Sequence, residues 1–336
     1  MARSDSRVFV IAEAGVNHNG DVNIAKKMID AAKQSGADAV KFQTFNAENL
    51  VCKMTPKAEY QITNTGMGED QLQMLKKLQL TKEEFCELKE YCREKQIAFL
   101  STPFDIESLN FLISLGVMLV KIPSGEITNY PLLREIGKSR LPVILSTGMS
   151  ELFEVQEAVE VLKRFGCSDI TVLQCNTDYP TKFEDANLKG MITLGKTLGC
   201  PYGYSDHTLG NDVAIAAVAL GAKVIEKHFT LDRHMPGPDH IASIEPDELE
   251  NLICSIRNVE KALGSGIKQI NESEKKNLVC IRKSIVAKEK VKKGTLFTED
   301  NLAAKRPGDG LSPMKWESVI GTHAMKDYME DEKIEI

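Results

Sequence analysis

Residues 7–45 read RVFVIAEAGVNHNGDVNIAKKMIDAAKQSGADAVKFQTF. An apolar, β-branched run at 7–14 gives way to Asn19, Gly20 and Asp21, which suit a turn and a helix cap. There follows NIAKKMIDAAKQSG, with apolar residues at helical spacing and a glycine at its end, and then a second short apolar run from Ala39. This is one β–α unit leading into the next strand.

The same rhythm continues to about residue 265. Strand-like runs fall at 7–14, 39–42, 98–101, 118–122, 142–146, 170–174, 202–204 and 223–226, with helical patterns such as TKEEFCELKEYCREK, IESLNFLISLG and LFEVQEAVEVLKRFG between them. Eight such units match the size and order of a TIM barrel, but an open doubly wound sheet shows the same alternation. The strand ends decide. They carry Glu13, Lys41 with Gln43, Thr102, Lys121 with Ser124, Ser146 with Thr147, Gln174 with Asn176, Ser205 with His207, and Glu226 with His228. A closed barrel gathers all eight carboxyl ends around one site, whereas an open sheet spreads them along an edge.

The expected architecture is therefore α/β: a TIM barrel over 1–266, a linker over 267–281 and a small β-rich domain over 282–336. The linker reading rests on the polar stretch SGIKQINESEKKN, and the last domain on short strand-like pieces (SIVAKEKV, VIGTHAM) separated by turns such as KKGT and RPGDGLSP. One connection is long, residues 45–80, and reads either as a lid over the barrel mouth or as a surface insertion.

The 336 residues carry 42 Lys+Arg against 48 Asp+Glu, a formal charge of −6, with no basic run. Nucleic acid and acidic membrane surfaces are thus poor partners. No stretch is long and apolar enough to span a bilayer, and the amino-terminal apolar run reads as a strand, not an export signal, so the expected location is the cytoplasm. The eight cysteines are scattered and read as reduced thiols; Cys86 and Cys92, six apart on one helix, fall on different faces.

Two lysines, Lys41 and Lys121, stand at strand ends beside hydroxyl clusters in STP (101–103), PSGE (123–126) and STGM (146–149). A single strand-end lysine is commonly a surface residue. Two of them, with three sets of hydroxyl and backbone donors, suit a small phosphorylated anion. Neither lies in a nucleotide-binding loop, which argues against ATP and NAD. His207 and His228 close adjacent strands and could together hold a divalent transition metal, with Glu13, Glu226 and Asp239 as available carboxylates; the alternative is that each imidazole hydrogen-bonds within the core. Glu13 suits proton transfer, or a salt bridge to Lys41, and the two roles are compatible. His18 reads as a loop-packing or a catalytic residue, and MPGPDH (235–240) as a rigid turn or a positioner of a substrate hydroxyl. Arg306 could clamp a polar ligand if its loop reached a barrel mouth; otherwise it is solvated.

The motifs IAEAGVNHNGD, KFQTF, STPFD, KIPSGEITN, ILSTGMS, YPT, GYSDHTLG, EKHFTLDR, GPDH and KRPGDGLSP, in this order over nearly the whole chain, resemble the sialic acid synthase family. The resemblance implies a TIM barrel followed by an antifreeze-like (SAF) domain, a domain-swapped homodimer, and condensation of phosphoenolpyruvate with an N-acetylated amino sugar. It implies His207 and His228 as ligands of a divalent metal, manganese first, with magnesium or cobalt as alternatives. It further implies Lys41, Thr102, Lys121, Ser124 and Ser146 as phosphoenolpyruvate contacts and Glu13 as acid or base. Gln43, Tyr179, Ser205 and Asp239 are implied as sugar contacts, and Arg306 as an arginine delivered to the partner's site. The family's sialic acid synthases carry asparagine two residues before the YP of the sixth-strand loop. Here QCNTDYPT places Thr177 there and Asn176 one earlier, and both are counted as substrate contacts. This departure resembles the synthases of legionaminic acid, whose substrate is a 6-deoxy sugar with acetamido groups at C2 and C4. An N-acetylneuraminate synthase, a spore-coat or capsule sugar synthase, a Schiff-base aldolase using Lys121 and a non-catalytic sugar-binding barrel are the rival expectations.

Overall fold

The computed structural model describes residues 7–336; residues 1–6, expected to belong to the barrel domain, lie outside the described residues. The chain divides after Gly264 into two compact units, the second being Ser265–Ile336. In the first, all eight expected strands form: β1 (Phe9–Gly15), β2 (Ala39–Thr44), β3 (Ala98–Pro103), β4 (Val120–Ile122), β5 (Val143–Ser146), β6 (Ile170–Cys175), β7 (Tyr202–Asp206) and β8 (Val224–His228). Their order is 3-2-1-8-7-6-5-4, every hydrogen-bonded neighbour is parallel, and β1 pairs with β8. β3 and β4 lie side by side without a ladder, so the barrel is nearly closed.

Helices cover the outside for local reasons. Val22–Gln34 starts on Asp21, whose carboxylate accepts the Asn23 N–H at 2.7 Å, and turns Ala25, Met28, Ile29 and Ala32 inward. On the helix Lys82–Lys95, Cys92 is buried and Cys86 exposed, and all eight cysteines are free thiols. The outward-facing strand residues Val10, Ala12, Ala14, Val40 and Phe42 pack against these helices in one core.

Inside, the two-residue period of a strand builds rings. The lower ring is Ile11, Ala39, Leu100, Leu119, Ile144, Leu173 and Val224. Two residues further along the same strands stand Glu13, Lys41, Thr102, Lys121, Ser146, Cys175 and Glu226, all lining a cavity. On β7 the step runs from Gly203 to Ser205. A Cβ on Gly203 would lie 2.2 Å from the Val224 carbonyl oxygen and 2.8 Å from Leu173 Cδ2, so a side chain there would collide with a ring that is already full.

The connection 45–80 carries three short helices, Ala47–Leu50, Glu59–Thr65 and Gln71–Leu78. It has a small core of its own in Phe45, Ala47, Leu72, Met74 and Leu78 with Val16, and Asn64 donates to the Pro238 carbonyl at 2.6 Å. Its residues line the cavity, which settles it as a roof and not an inert insertion. No helix among the described residues is long and apolar enough to cross a membrane.

The second unit differs from expectation in two places. Within the stretch read as linker, Glu272–Ile281 is a helix, started by Asn271, whose N–H is accepted by the Glu274 carboxylate at 3.0 Å. It buries no residue, so no amphipathic pattern announced it. The β-structure beyond it amounts to one antiparallel pair, β9 (Ser284–Ala287) with β10 (Leu302–Lys305), and isolated bridges such as Leu296 with His323. VIGTHAM is not a strand: Val319 ends a helical turn, Trp316–Val319, and packs with Ile285, Phe297, Leu302 and Tyr328.

Candidate active site

The cavity at the carboxyl ends of the barrel strands holds about 450 Å³. Its floor is the upper ring of side chains. Lys41 donates to Thr102 Oγ1 at 2.9 Å and lies 2.8 Å from the Glu13 carboxylate; Lys121 donates to Ser146 Oγ at 2.7 Å. Glu226 stands between the two ammonium groups, 3.8 Å from Lys41 and 3.3 Å from Lys121, and accepts from Ser205 Oγ at 3.1 Å. Ser124 receives the Gly148 N–H at 2.9 Å and contacts Cys175 Sγ at 3.1 Å. Gly148 is required here, because a Cβ would lie 2.8 Å from Thr177 Cγ2 and 2.9 Å from Ser124 Oγ.

These groups are buried, and burial sets their charges. It pushes the Glu13 carboxyl up to about 7, against the pull of Lys41 and with the help of Glu226. Glu226 is also buried, but Lys121, Lys41 and the two neighbouring imidazoles outweigh the burial and hold it at about 2. Burial pulls the Lys121 ammonium below its ordinary value against the opposing pull of Glu226. The floor therefore offers two cations to a single permanent carboxylate and a protonatable one. An arriving anion finds charge only partly neutralised.

His207 and His228 face one another with ring centroids 5.3 Å apart, and Tyr179 stacks on His207 at 4.2 Å. Burial lowers His207 to about 4 and His228 well below the usual imidazole range, so both rings are neutral at pH 7. The Asn176 carbonyl holds His207 Nδ1, while His228 Nδ1 is buried without a hydrogen-bond partner. Gly15 gives that ring its space: φ is +54°, and a Cβ would lie 3.3 Å from His228 Cε1. Two adjacent neutral imidazoles, one with an uncommitted nitrogen, fit a divalent metal. No third His, Cys, Asp or Glu completes a ligand group among the described residues, so such a site stays open to water and substrate.

Of the residues singled out from sequence, Glu13, Lys41, Gln43, Thr102, Lys121, Ser124, Ser146, Thr177, Tyr179, Ser205, His207, His228 and Asp239 all line this cavity. Asn176 does not. Its side chain accepts the Asp178 N–H at 2.7 Å and its carbonyl holds His207, so it shapes the loop. Arg306 belongs to the second unit, exposed, its Nε donating to the Ile281 carbonyl at 2.9 Å. His18 and His240 pack: His18 Nδ1 accepts the Gly20 N–H at 3.1 Å, and His240 bridges Thr230 and Asn19. Glu226 neutralises the two lysines, a different task from the metal ligation considered for it. The sequence reading missed Cys175 and Tyr60. Cys175 is flagged by the strand parity that places it above Leu173, and Tyr60 only by its position in the long connection.

The NeuB family model matches residues 28–268, and the SAF domain model residues 282–332. The chain is 52% identical to N,N'-diacetyllegionaminic acid synthase of Campylobacter jejuni, over 98% of this chain and 99% of that one. It is 47% identical to the enzyme of the same name from Legionella pneumophila, over 95% and 91%. Among solved structures it is similar to the N-acetylneuraminic acid synthetase of Leptospira borgpetersenii, with 38% identity, a TM-score of 0.71, and coverage of 81% of this chain and 90% of that one.

Proposed function

The chain belongs to the NeuB family, and from that premise we propose that it is a phosphoenolpyruvate-dependent, C–C bond-forming transferase: it condenses phosphoenolpyruvate, 2,4-diacetamido-2,4,6-trideoxymannopyranose and water to N,N'-diacetyllegionaminic acid and phosphate. One observation carries the reaction class. Two buried lysines with hydroxyl partners share a carboxylate on the floor of a closed-in pocket, beside two neutral imidazoles. The 52% and 47% relatives support this sugar over N-acetylmannosamine, the runner-up substrate.

In this reading Lys41, Lys121, Thr102, Ser124 and Ser146 bind the phosphate and carboxylate of phosphoenolpyruvate. Its C3 attacks the aldehyde carbon of the open-chain sugar, water adds at C2, and the tetrahedral adduct expels inorganic phosphate. His207 and His228 would hold a divalent cation, manganese in our reading, which would supply Lewis-acid polarisation of a carbonyl group. Glu13, poised near neutrality, either gives its proton to the new alkoxide or takes one from the water. The lysines hold the same anionic charge from ground state to adduct in a site screened from bulk water by the roof. Gln43, Tyr179, Ser205 and Asp239 orient the sugar.

We further propose a cytoplasmic homodimer in which the Arg306 loop of each chain completes the other's site. Arg306→Ala should lose most turnover, and mixing it with Lys121→Met chains should restore activity at about one site in four if the units are exchanged. Absence of restoration contradicts the exchange.

The experiment on function measures phosphate release from phosphoenolpyruvate with each sugar. The diacetamido sugar should be preferred by kcat/KM, with activity lost on thorough chelation and restored by Mn2+. Preference for N-acetylmannosamine overturns the substrate. Full activity without metal, with borohydride trapping of pyruvate on Lys121, overturns the mechanism in favour of an aldolase.

A further inference from the structure

The cavity changes character away from its floor. Reaction takes place beside Lys41, Lys121 and the imidazole pair, so C1 of the sugar must sit there. From that point a line of rings leads outward: Tyr179 stacks on His207 at 4.2 Å, and Tyr60 lies against Tyr179 at 5.0 Å. Tyr60 belongs to the helix Glu59–Thr65 in the roof. Around it the roof lines the cavity with aliphatic side chains, of which Leu50, Val51 and Leu75 are only half buried and so retain surface to cover.

Besides Gln61 and Gln71, whose side-chain amides hydrogen-bond one another at 3.3 Å, Tyr60 is the polar side chain that the roof brings to the cavity. The Tyr60 hydroxyl accepts a long hydrogen bond from Gln61 Nε2, 3.4 Å, and donates to no group among the described residues. Asp239 lines the same cavity, next to Pro238, whose carbonyl accepts from Asn64 of the roof, and its charge helps to suppress ionisation of the Tyr60 and Tyr179 hydroxyls. A hydroxyl donor and a carboxylate acceptor close together match the two ends of an amide, which offers a carbonyl oxygen and an N–H. An aliphatic wall next to them matches a methyl group and leaves an added hydroxyl without a partner.

Resting on the function proposed above, we infer that the roof segment 45–80 selects the far end of the sugar: Tyr60 donates to the C4 acetamido carbonyl opposite Asp239, and Leu50, Val51 and Leu75 seat the C6 methyl. C4 and C6 stand three and five bonds from the reacting carbon, in the direction the rings lead. The floor is then indifferent to which sugar is used, and most of the discrimination belongs to one insertion.

Three sugars separate the parts: the 2,4-diacetamido-2,4,6-trideoxy sugar, 2-acetamido-2,6-dideoxymannose, which keeps the C4 hydroxyl, and N-acetylmannosamine, which has hydroxyls at both positions. Tyr60→Phe retains the stacking ring. It should lower kcat/KM for the diacetamido sugar about tenfold, chiefly through KM, while KM for phosphoenolpyruvate and turnover of the other two sugars stay unchanged. Leu75→Asn should reduce the preference for the 6-deoxy over the 6-hydroxy monoacetamido sugar by about tenfold. Equal losses with all three sugars, a rise in KM for phosphoenolpyruvate, or no loss would overturn the inference. The wild-type protein distinguishes the two levels: if it rejects the diacetamido sugar, the proposed function itself has failed, whereas turnover of that sugar with an indifferent Tyr60→Phe fails only the roof.

Discussion

Two rings of side chains stand one pleat apart inside the same barrel, on the same strands and nearly equally buried. The lower, Ile11, Ala39, Leu100, Leu119, Ile144, Leu173 and Val224, carries no polar side chain. The upper carries Glu13, Lys41, Thr102, Lys121, Ser146, Cys175 and Glu226, with Ser205 from β7. The backbone holds both equally well, so their difference is chemical. One ring fills the interior and gives the fold its stability. The other uses the rigidity so obtained to keep charged groups in place that would otherwise relax or take up water.

Four substitutions can break this contrast. Lys121→Met should cause the largest effect, a fall in kcat/KM of roughly a thousandfold, because it removes a preorganised cation from the floor. Circular dichroism should show the barrel still folded. Leu173→Ala should do the reverse. It should cost about 2–5 kcal/mol by denaturant titration, with kcat of the folded enzyme changed only a few-fold. If turnover fell more than stability, the lower ring would not be the inert support described here.

Glu13→Gln tests the upper ring through pH. The folded carboxyl is raised to about 7 from an ordinary value of 4.5, so the folded protein keeps a proton that the unfolded chain releases between those values. The stabilising contribution is therefore complete below pH 4.5 and lost as pH rises through about 7. Melting temperature against pH should show wild type losing ground to Glu13→Gln across that window, and the kcat/KM limb near pH 7 should vanish in the variant. Parallel profiles would contradict the assigned environment. The smallest effect is expected of Thr177→Asn, which should move sugar preference toward N-acetylmannosamine by a few-fold, read from the ratio of kcat/KM values.

Most of this site could be read from the chain because strand parity and strand ends are local properties. Once eight strand ends were placed, residues such as Lys41, Ser146 and His228 had to converge. What escaped reading depends on contacts that no period encodes. Asn176 sits where a ligand contact was expected, yet its side chain is engaged by the Asp178 N–H. The helix Glu272–Ile281 has no buried face to betray it. Val319 alternates like a strand residue but packs from a helical turn, because the small second core draws on two short strands, a helical turn and the loops between them. Tyr60 reaches the pocket only through the folding of a connection whose internal core, Phe45, Leu72, Met74 and Leu78, is assembled from distant positions.

The central claim is that the upper ring holds phosphoenolpyruvate intact until water adds at C2 and the C–O bond breaks. It is tested most directly with phosphoenolpyruvate carrying 18O in the bridge between C2 and phosphorus. Mass spectrometry of the products should find the label in inorganic phosphate. Label retained in the sugar acid would mean that water attacks phosphorus, and would contradict the account.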